Sequence, residues 1–408
     1  MTAAAGAGRE ELRGDRVADQ ARLDDPAALS AIDRGGMLRA VAAAGPQVRE
    51  AAQLAGETNL AEIGDEGRPR AVLVAGVGTA ARTGEVLATV AGPRCPVPVV
   101  AHRSAGIPGW VGAADVVIAV SASGHSPEAL AAAEAAARRG ARLVAVGAPA
   151  TPLQSVAERV RAPFVPVPRR APARASLWGL TVPVLLAGRA LGLVKVNEAD
   201  LAETAARLDD DAERCRESAE SFVNPAKSLA LDLAGSLPVV WGSSPLAGVA
   251  AVRFADMLST NARYPAVAGT LGEVGRGRIG LLDGAFGGLA EGERDIFADP
   301  GPAESVRLHL VILRDGGLAG DDEPDGEPLA VEEQRADAVA ALARRRGVRC
   351  TVLTADGGSL LERLASLVAV PDFASVYLAL AHGLDPMGVP AVSELKDALA
   401  PHDAEPAL

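Results

Sequence analysis

Apolar residues fall along this chain in short unbroken runs separated by longer amphipathic stretches. In the first half the runs are Pro69–Gly76, Val97–Ala101, Asp115–Val120, Arg142–Gly147 and Phe164–Val167. They lack the alternation of a half-exposed strand, which fits parallel strands covered on both faces. Between them, 36–56 has helical spacing with a break or kink near Pro46, a short helix runs to about Ala91, and an alanine-rich helix runs to about Arg139. A further helix is expected near Leu153. Strands alternating with helices at this spacing predict an open parallel α/β sheet. Two long helical stretches follow, Ala175–Leu191 and Asn197–Ser221, and then the pattern restarts. Leu237–Gly242 is a strand, Ser243-Ser244 a small loop, and a helix extends to about Asn261, a sign of internal duplication. Later strands are expected at Arg307–Leu313 and Val348–Leu353. Helices are expected at Val331–Arg345, Leu360–Val368, Phe373–His382 and Val392–Leu399.

Small and charged residues up to about Asp24 read as a disordered tail. The domain reading is a tail over 1–29, a first α/β domain over 30–195, a connector helix over 196–221 and a second domain over 222–402.

The stretch Ser121-Ala-Ser-Gly-His-Ser-Pro-Glu128 follows a buried strand and opens a helix. Ser126 suits the N-cap, Pro127 the first helical position and Glu128 the first turn. Free N–H groups at such a helix end favour an anion, and the hydroxyls of Ser121 and Ser123 can complete a phosphate cradle. A plain helix cap with incidental serines is the competing reading. Gly76-Val-Gly78-Thr79 closes the first strand in the same way, and ligands of open parallel sheets sit beyond the carboxyl ends of the strands.

Composition narrows the chemistry. With 408 residues there is room for two domains, and 49% hydrophobic but 3% aromatic content predicts an aliphatic core. The net charge of −12 gives no reason to expect nucleic acid or an anionic membrane as partner. Cys95, Cys215 and Cys350 form neither a disulfide framework nor a metal motif, which suits a reduced compartment. The N-terminus lacks an apolar signal core, and the apolar segment 179–194 is too short to span a bilayer. A soluble cytoplasmic protein is expected.

Four other motifs carry less. Gly76-x-Gly78-x-x-Ala81 matches a dinucleotide fingerprint, but the next strand ends in His102-Arg103 where an acidic residue would hold a ribose. Asp321, Glu323, Asp325, Gly326 and Glu332 have calcium-loop spacing but follow a strand, so a solvated acidic loop is expected. His102, His125, His309, His382 and His402 show no metal spacing; His125 alone lies in the serine loop. Arg169, Arg170 and Arg174 form a basic patch before a helix, from which Arg174 could clamp a phosphorylated ligand.

Taken together, the pieces resemble the bifunctional phosphoglucose/phosphomannose isomerase family, which has two sugar isomerase (SIS) domains. The resemblance spans roughly residues 30–400. It rests on Gly76–Thr79, Ile107–Val111, Val117–Gly124, Ala173–Ala175, Asn224–Lys227, Asn261-Ala262, Ser375–Ala379 and Gly383–Pro386. It implies a hexose 6-phosphate ligand and a homodimer, and brings in no cofactor or metal. It also implies phosphate recognition at Gly78, Thr79, Ser121, Ser123 and Ser126, an enediolate-stabilising arginine at Arg174 and an active-site lysine at Lys396.

Two positions depart from the family pattern. Where the family has its general-base glutamate this chain has Thr260, and where it has a ring-opening histidine this chain has Arg276. A threonine hydroxyl is a poor base unless another base activates it, and arginine keeps its proton. Glu273 is the nearest candidate substitute. Two readings follow: an aldose–ketose isomerase with weakened or rerouted proton transfer, or a catalytically silent sugar-phosphate sensor.

Overall fold

The computed structural model of the chain describes residues 17–288, 306–316 and 326–399, with the side chains of 326–330, 396 and 399 outside the description. Both halves are α/β, each built on a parallel sheet flanked by helices. In the first, β1 (Val72–Ala75), β2 (Val99–His102), β3 (Val116–Ser121), β4 (Arg142–Gly147) and β5 (Phe164–Pro166) lie in the order β2-β1-β3-β4-β5. In the second, β6 (Ser236–Gly242), β7 (Val267–Thr270), β8 (Arg307–Arg314) and β9 (Arg349–Thr354) lie in the order β7-β6-β8-β9. All these pairs are parallel. The second order repeats β2-β1-β3-β4, so the duplication suggested by the strand–loop–helix pattern extends to the topology. Strand β7 has no counterpart in the sequence reading; it is short and only partly covered.

The unbroken apolar runs have the expected cause. Val72 and Val74 of β1 enter a large core that also takes in helices of the second half, while Leu73 and Ala75 enter a separate core with α7 (Pro127–Arg139) and α8 (Pro152–Arg159). Strand β1 is therefore apolar on both faces. The large core is shared between the halves. It holds α4 (Ala44–Gly56), α6 (Thr79–Ala91), α9 (Leu177–Ala190), α10 (Glu198–Arg214), α11 (Pro225–Leu233), α12 (Pro245–Asn261) and α15 (Leu360–Ala381).

Three sequence expectations need correction. The segment 17–29 is not a disordered tail where it is described. Asp19 and Asp25 cap the short helices α1 (Gln20–Leu23) and α2 (Pro26–Ile32), and Leu23 and Leu29 are fully buried. The segment is held by tertiary contacts: Asp19 N–H and the Arg22 guanidinium both donate to Ala381 O, and the buried Lys227 ammonium donates to Leu23 O. Second, α15 runs unbroken through Pro371, where two helices had been expected. Third, this helix, not 179–194, is the long apolar one. It is long and apolar enough to cross a membrane, yet it is buried within the fold against α10, α11 and α12. The expected kink in 36–56 is a break at Ala43, between α3 (Met37–Ala42) and α4. Of the calcium-like loop, Asp321, Glu323 and Asp325 lie outside the described residues.

Candidate functional site

The strand order of the first sheet changes sense between β1 and β3, with β2 on one side and β4-β5 on the other. Helices after β1 and β3 then leave on opposite faces and open a crevice at the carboxyl edge. Ala75 of β1 pairs with Ala119 of β3, so Gly76–Thr79 and Ser121–Ser126 emerge side by side. Gly76 permits the close approach, since a Cβ there would come 2.9 Å from Val120 O. Gly78, at φ 59°, turns the chain into α6, with Thr79 in its first position.

The serine loop is held by its own hydroxyls. Ser121 Oγ is buried and accepts from the N–H groups of Gly124 at 3.1 Å and Ser126 at 3.3 Å. Ser123 Oγ accepts from His125 N–H at 3.2 Å and lies 3.5 Å from Ser121 Oγ. Ser126 is the N-cap residue, and Pro127 and Glu128 open α7 as the spacing predicts. Its hydroxyl, however, does not cap the helix but donates to Glu128 Oε2 at 2.8 Å. Gly124 adopts φ 69°, and a Cβ there would collide with Thr151. The three serines are thus sorted by environment. Ser121 shapes the loop, whereas Ser123, Ser126 and Thr79 are only partly buried beside the crevice, with the Ser126 proton held by Glu128. His125 is exposed, its Nδ1 2.8 Å from Ser123 O.

Arg174 lies in a single 3-10 turn, Ala173–Ala175, beyond β5. Its Nε donates to Asn261 Oδ1 at 2.9 Å, and Nη2 donates to Pro386 O at 2.6 Å and Met387 O at 3.1 Å. Burial lowers its pKa and the like charge of Arg263 adds to this, against the pull of Asp385. The guanidinium keeps its proton regardless. Asn261 ends α12, so the last turn of that helix stands at the carboxyl edge of the first sheet.

Helices α6 and α12 pack antiparallel. Arg82 of α6 meets Asp256 of α12 at 3.0 Å, and further along Thr89 and Gly248 line one groove between them. Thr79 therefore lies towards the α12 turn that carries Thr260. The Thr260 hydroxyl donates to Asp256 O at 2.7 Å, the back-bond of a threonine to its own helix. Sequence reasoning missed the Arg82–Asp256 pair, although Asp256 stands four residues before Thr260, on the same helix face.

Glu273 and Arg276 are not brought to this edge within the chain. Both are exposed, in and just after the single turn α13 (Leu271–Val274), and Glu273 pairs loosely with Arg278 at 3.8 Å. That turn follows Thr270, which packs against Gly248 near the start of α12. Gly248 and Thr260 are separated by about 18 Å along the helix at roughly 1.5 Å per residue. Lys396 belongs to α16 (Pro390–Leu399); its side chain is outside the description. Among the described residues no group of three or more His, Cys, Asp or Glu could hold a metal ion.

Comparison with known proteins agrees with this architecture. Residues 222–399 match the model of the bacterial phospho-glucose isomerase C-terminal SIS domain. The chain is 28% identical over 329 residues to a bifunctional phosphoglucose/phosphomannose isomerase from Caldicellulosiruptor bescii, covering 81% of this chain and 89% of that protein. Among solved structures, a hypothetical protein from Thermus thermophilus superposes with a TM-score of 0.62 at 16% identity, covering 91% of this chain and 93% of that one. A putative phosphosugar isomerase from Clostridium difficile 630 does so with a TM-score of 0.57 at 11% identity, covering 88% and 97%. These two likenesses concern the fold. Residues 222–399 thus match a bacterial phospho-glucose isomerase C-terminal SIS domain, and over most of its length the chain is similar to a bifunctional phosphoglucose/phosphomannose isomerase, with a pair of α/β halves in one chain.

Proposed function

We propose that the chain binds a hexose 6-phosphate in the crevice between β1 and β3 and interconverts aldose and ketose slowly. The observation that carries the binding half is the juxtaposition of Gly78-Thr79 with Ser121–Ser126 at the point where strand order reverses. Two helix N-termini meet there beside Thr79 and Ser123, and Ser126 joins them by turning its hydroxyl from Glu128 to the ligand, which suits a phosphate dianion. The sugar then extends towards Arg174 and Thr260. With Nε and Nη2 engaged on Asn261, Pro386 and Met387, Arg174 has Nη1 to place against a developing enediolate oxygen.

The weak half is proton transfer between C1 and C2, which needs a group that accepts and returns a proton near neutral pH. Thr260 is unsuited, since its proton already serves Asp256 O. Glu273 stands at the other end of α12, so it would serve this site only from a second copy of the chain. A homodimer with the crevice at the subunit interface meets that requirement.

The competing reading is a silent sugar-phosphate sensor, favoured by the back-bonded Thr260. Incubation of the protein with fructose 6-phosphate, with detection of glucose and mannose 6-phosphate, separates the two. Turnover abolished by Glu273→Ala but retained in Thr260→Ala supports a relocated base. Binding without turnover leaves the sensor; no binding of any hexose phosphate refutes both.

A further inference from the structure

The second half repeats the topology of the first, and its strand order also changes sense between the first two strands laid side by side, β6 and β8. Gly242 of β6 pairs with Leu313 of β8, so Ser243-Ser244 and Asp315-Gly316 leave the carboxyl edge together. These stretches occupy the places of Gly76–Thr79 and Ser121–Gly124. Asp315 lies across the start of α12. Its Oδ2 accepts from Ser244 Oγ at 2.5 Å, its N–H donates to Ser243 Oγ at 3.0 Å, and its Oδ1 accepts from Arg363 Nε at 2.8 Å. Ser244 Oγ in turn accepts from Ala247 N–H at 3.1 Å, as the N-cap of the helix. Ser243, Ser244, Asp315 and Arg363 are all buried, with Arg363 8% and Asp315 3% exposed.

We propose that this second crevice is an oxyanion cradle whose occupant is the chain's own Asp315 carboxylate, so that each chain takes one phosphorylated ligand and Asp315 closes the other site. The charge pattern supports it. The carboxylate accepts from a buried guanidinium and from the buried Ser244 hydroxyl at the start of a 17-residue helix beginning at Pro245, while the buried Ser243 hydroxyl holds the Asp315 N–H. A buried cation without its partner is costly, so Arg363 and the helix end require an anion at this point. Glu332 of α14 (Gly326–Arg345) lies near enough to feel this carboxylate: burial raises its pKa and Asp315 adds to the shift. In the first half a serine-rich loop stands where Asp315 stands here, and the anion there must come from outside. The inference rests on the sugar-phosphate reading only for the first site.

The test is the stoichiometry of inorganic phosphate binding to the full chain, by titration calorimetry, in wild type, Asp315→Ser and Asp315→Asn. One phosphate per wild-type chain, two per Asp315→Ser chain and one per Asp315→Asn chain are expected, because the asparagine amide still fills the cradle. Millimolar phosphate should also raise the melting temperature of Asp315→Ser more than that of wild type. Two phosphates on wild type would overturn the proposal. So would no gained site in Asp315→Ser, or failure of phosphate to restore a cooperatively melting Asp315→Ser chain. No phosphate on wild type but one gained by Asp315→Ser would sink the first-site reading and leave this one standing.

Discussion

The Arg82 guanidinium meets the Asp256 carboxylate at 3.0 Å, and this pair marks where α6 and α12 pass each other. Because the two helices run antiparallel, the start of α6 at Thr79 lies towards the last turn of α12 at Thr260. Placing a carboxylate at 260 should therefore supply the missing proton carrier beside the ligand. Thr260→Glu is expected to raise fructose 6-phosphate turnover by about 10²–10⁴-fold, the usual worth of a positioned base. A coupled assay for glucose 6-phosphate measures it, and an unchanged rate with unchanged affinity would count against Thr260 as the base position.

Ser123 and Ser126 offer partly exposed hydroxyls, while the buried Ser121 holds the loop N–H groups. A hydrogen bond to a charged group contributes about 1.5–3 kcal/mol. Ser123→Ala and Ser126→Ala should each weaken hexose 6-phosphate binding roughly 10- to 100-fold with little change in melting temperature. Ser121→Ala should instead lower the melting temperature by leaving two loop N–H groups without their acceptor. Calorimetry and thermal melts read the two effects apart. Equal behaviour of all three variants would refute the division of labour.

Lys227 is fully buried and donates to Leu23 O, Glu217 O and Ala219 O. Its ammonium also lies 5.4 Å from the centre of the Tyr377 ring. Lys227→Met would leave three carbonyls without a donor, at about 1–3 kcal/mol for each one that stays buried and unsatisfied. The variant should be destabilised by about 3 kcal/mol and cleaved more readily between residues 17 and 33. Chemical denaturation and limited proteolysis check this; a stable variant resistant in that segment would show that the lysine is not what pins it.

Asp115 precedes β3 and accepts from Arg70 Nε at 2.9 Å and Gly112 N–H at 2.8 Å. Burial alone would raise its pKa, but these bonds and the Arg70 charge outweigh it and hold the carboxyl below its ordinary value. A carboxyl with a lowered folded pKa stabilises above its unfolded pKa, about 4, and that contribution is lost as pH falls through the folded value. Asp115→Asn should therefore be less stable than wild type at pH 7 and lose less on acidification to pH 3. Urea melts at the two pH values test the sign.

Burial pushes the Cys215 thiol up to about 12. It should resist alkylation at pH 8 in the native protein and react once the chain unfolds, as mass spectrometry of labelled peptides would show. Native labelling at Cys215 would mean that the shared core opens locally.

Much of the fold was legible because its causes are local. Unbroken apolar runs mark doubly covered strands, and Ser126-Pro127-Glu128 marks a helix start whatever lies around it. The same holds for Thr79 and the serine loop, whose place at the carboxyl edge follows from strand succession. The signal for Asp315 was also present, since Asp315-Gly316 follows β8 directly, at the edge where the serine loop follows β3 in the first half. Its meaning was not, because an acidic residue in a loop is ordinarily solvated. Pro371 misled in the opposite direction: it marks a break in isolation, yet packing on three neighbouring helices carries α15 through it.

By itself the sequence determined the two parallel sheets, the hydroxyl-lined loops beyond the first of them, and the lack of a carboxylate at 260. Tertiary structure alone decided that Thr79 and Thr260 lie towards the same end of the α6–α12 pair, that Glu273 lies beyond the opposite end of α12, that Asp315 is buried between Ser244 and Arg363, and that residues 17–29 are held in place. The physical reason is one of range. Helix caps and strand burial arise among neighbours in the chain, where spacing records them. Whether a charge is buried, and which partner makes that tolerable, depends on groups 48 residues apart for Asp315 and Arg363 and 204 apart for Leu23 and Lys227, and no local pattern encodes those meetings.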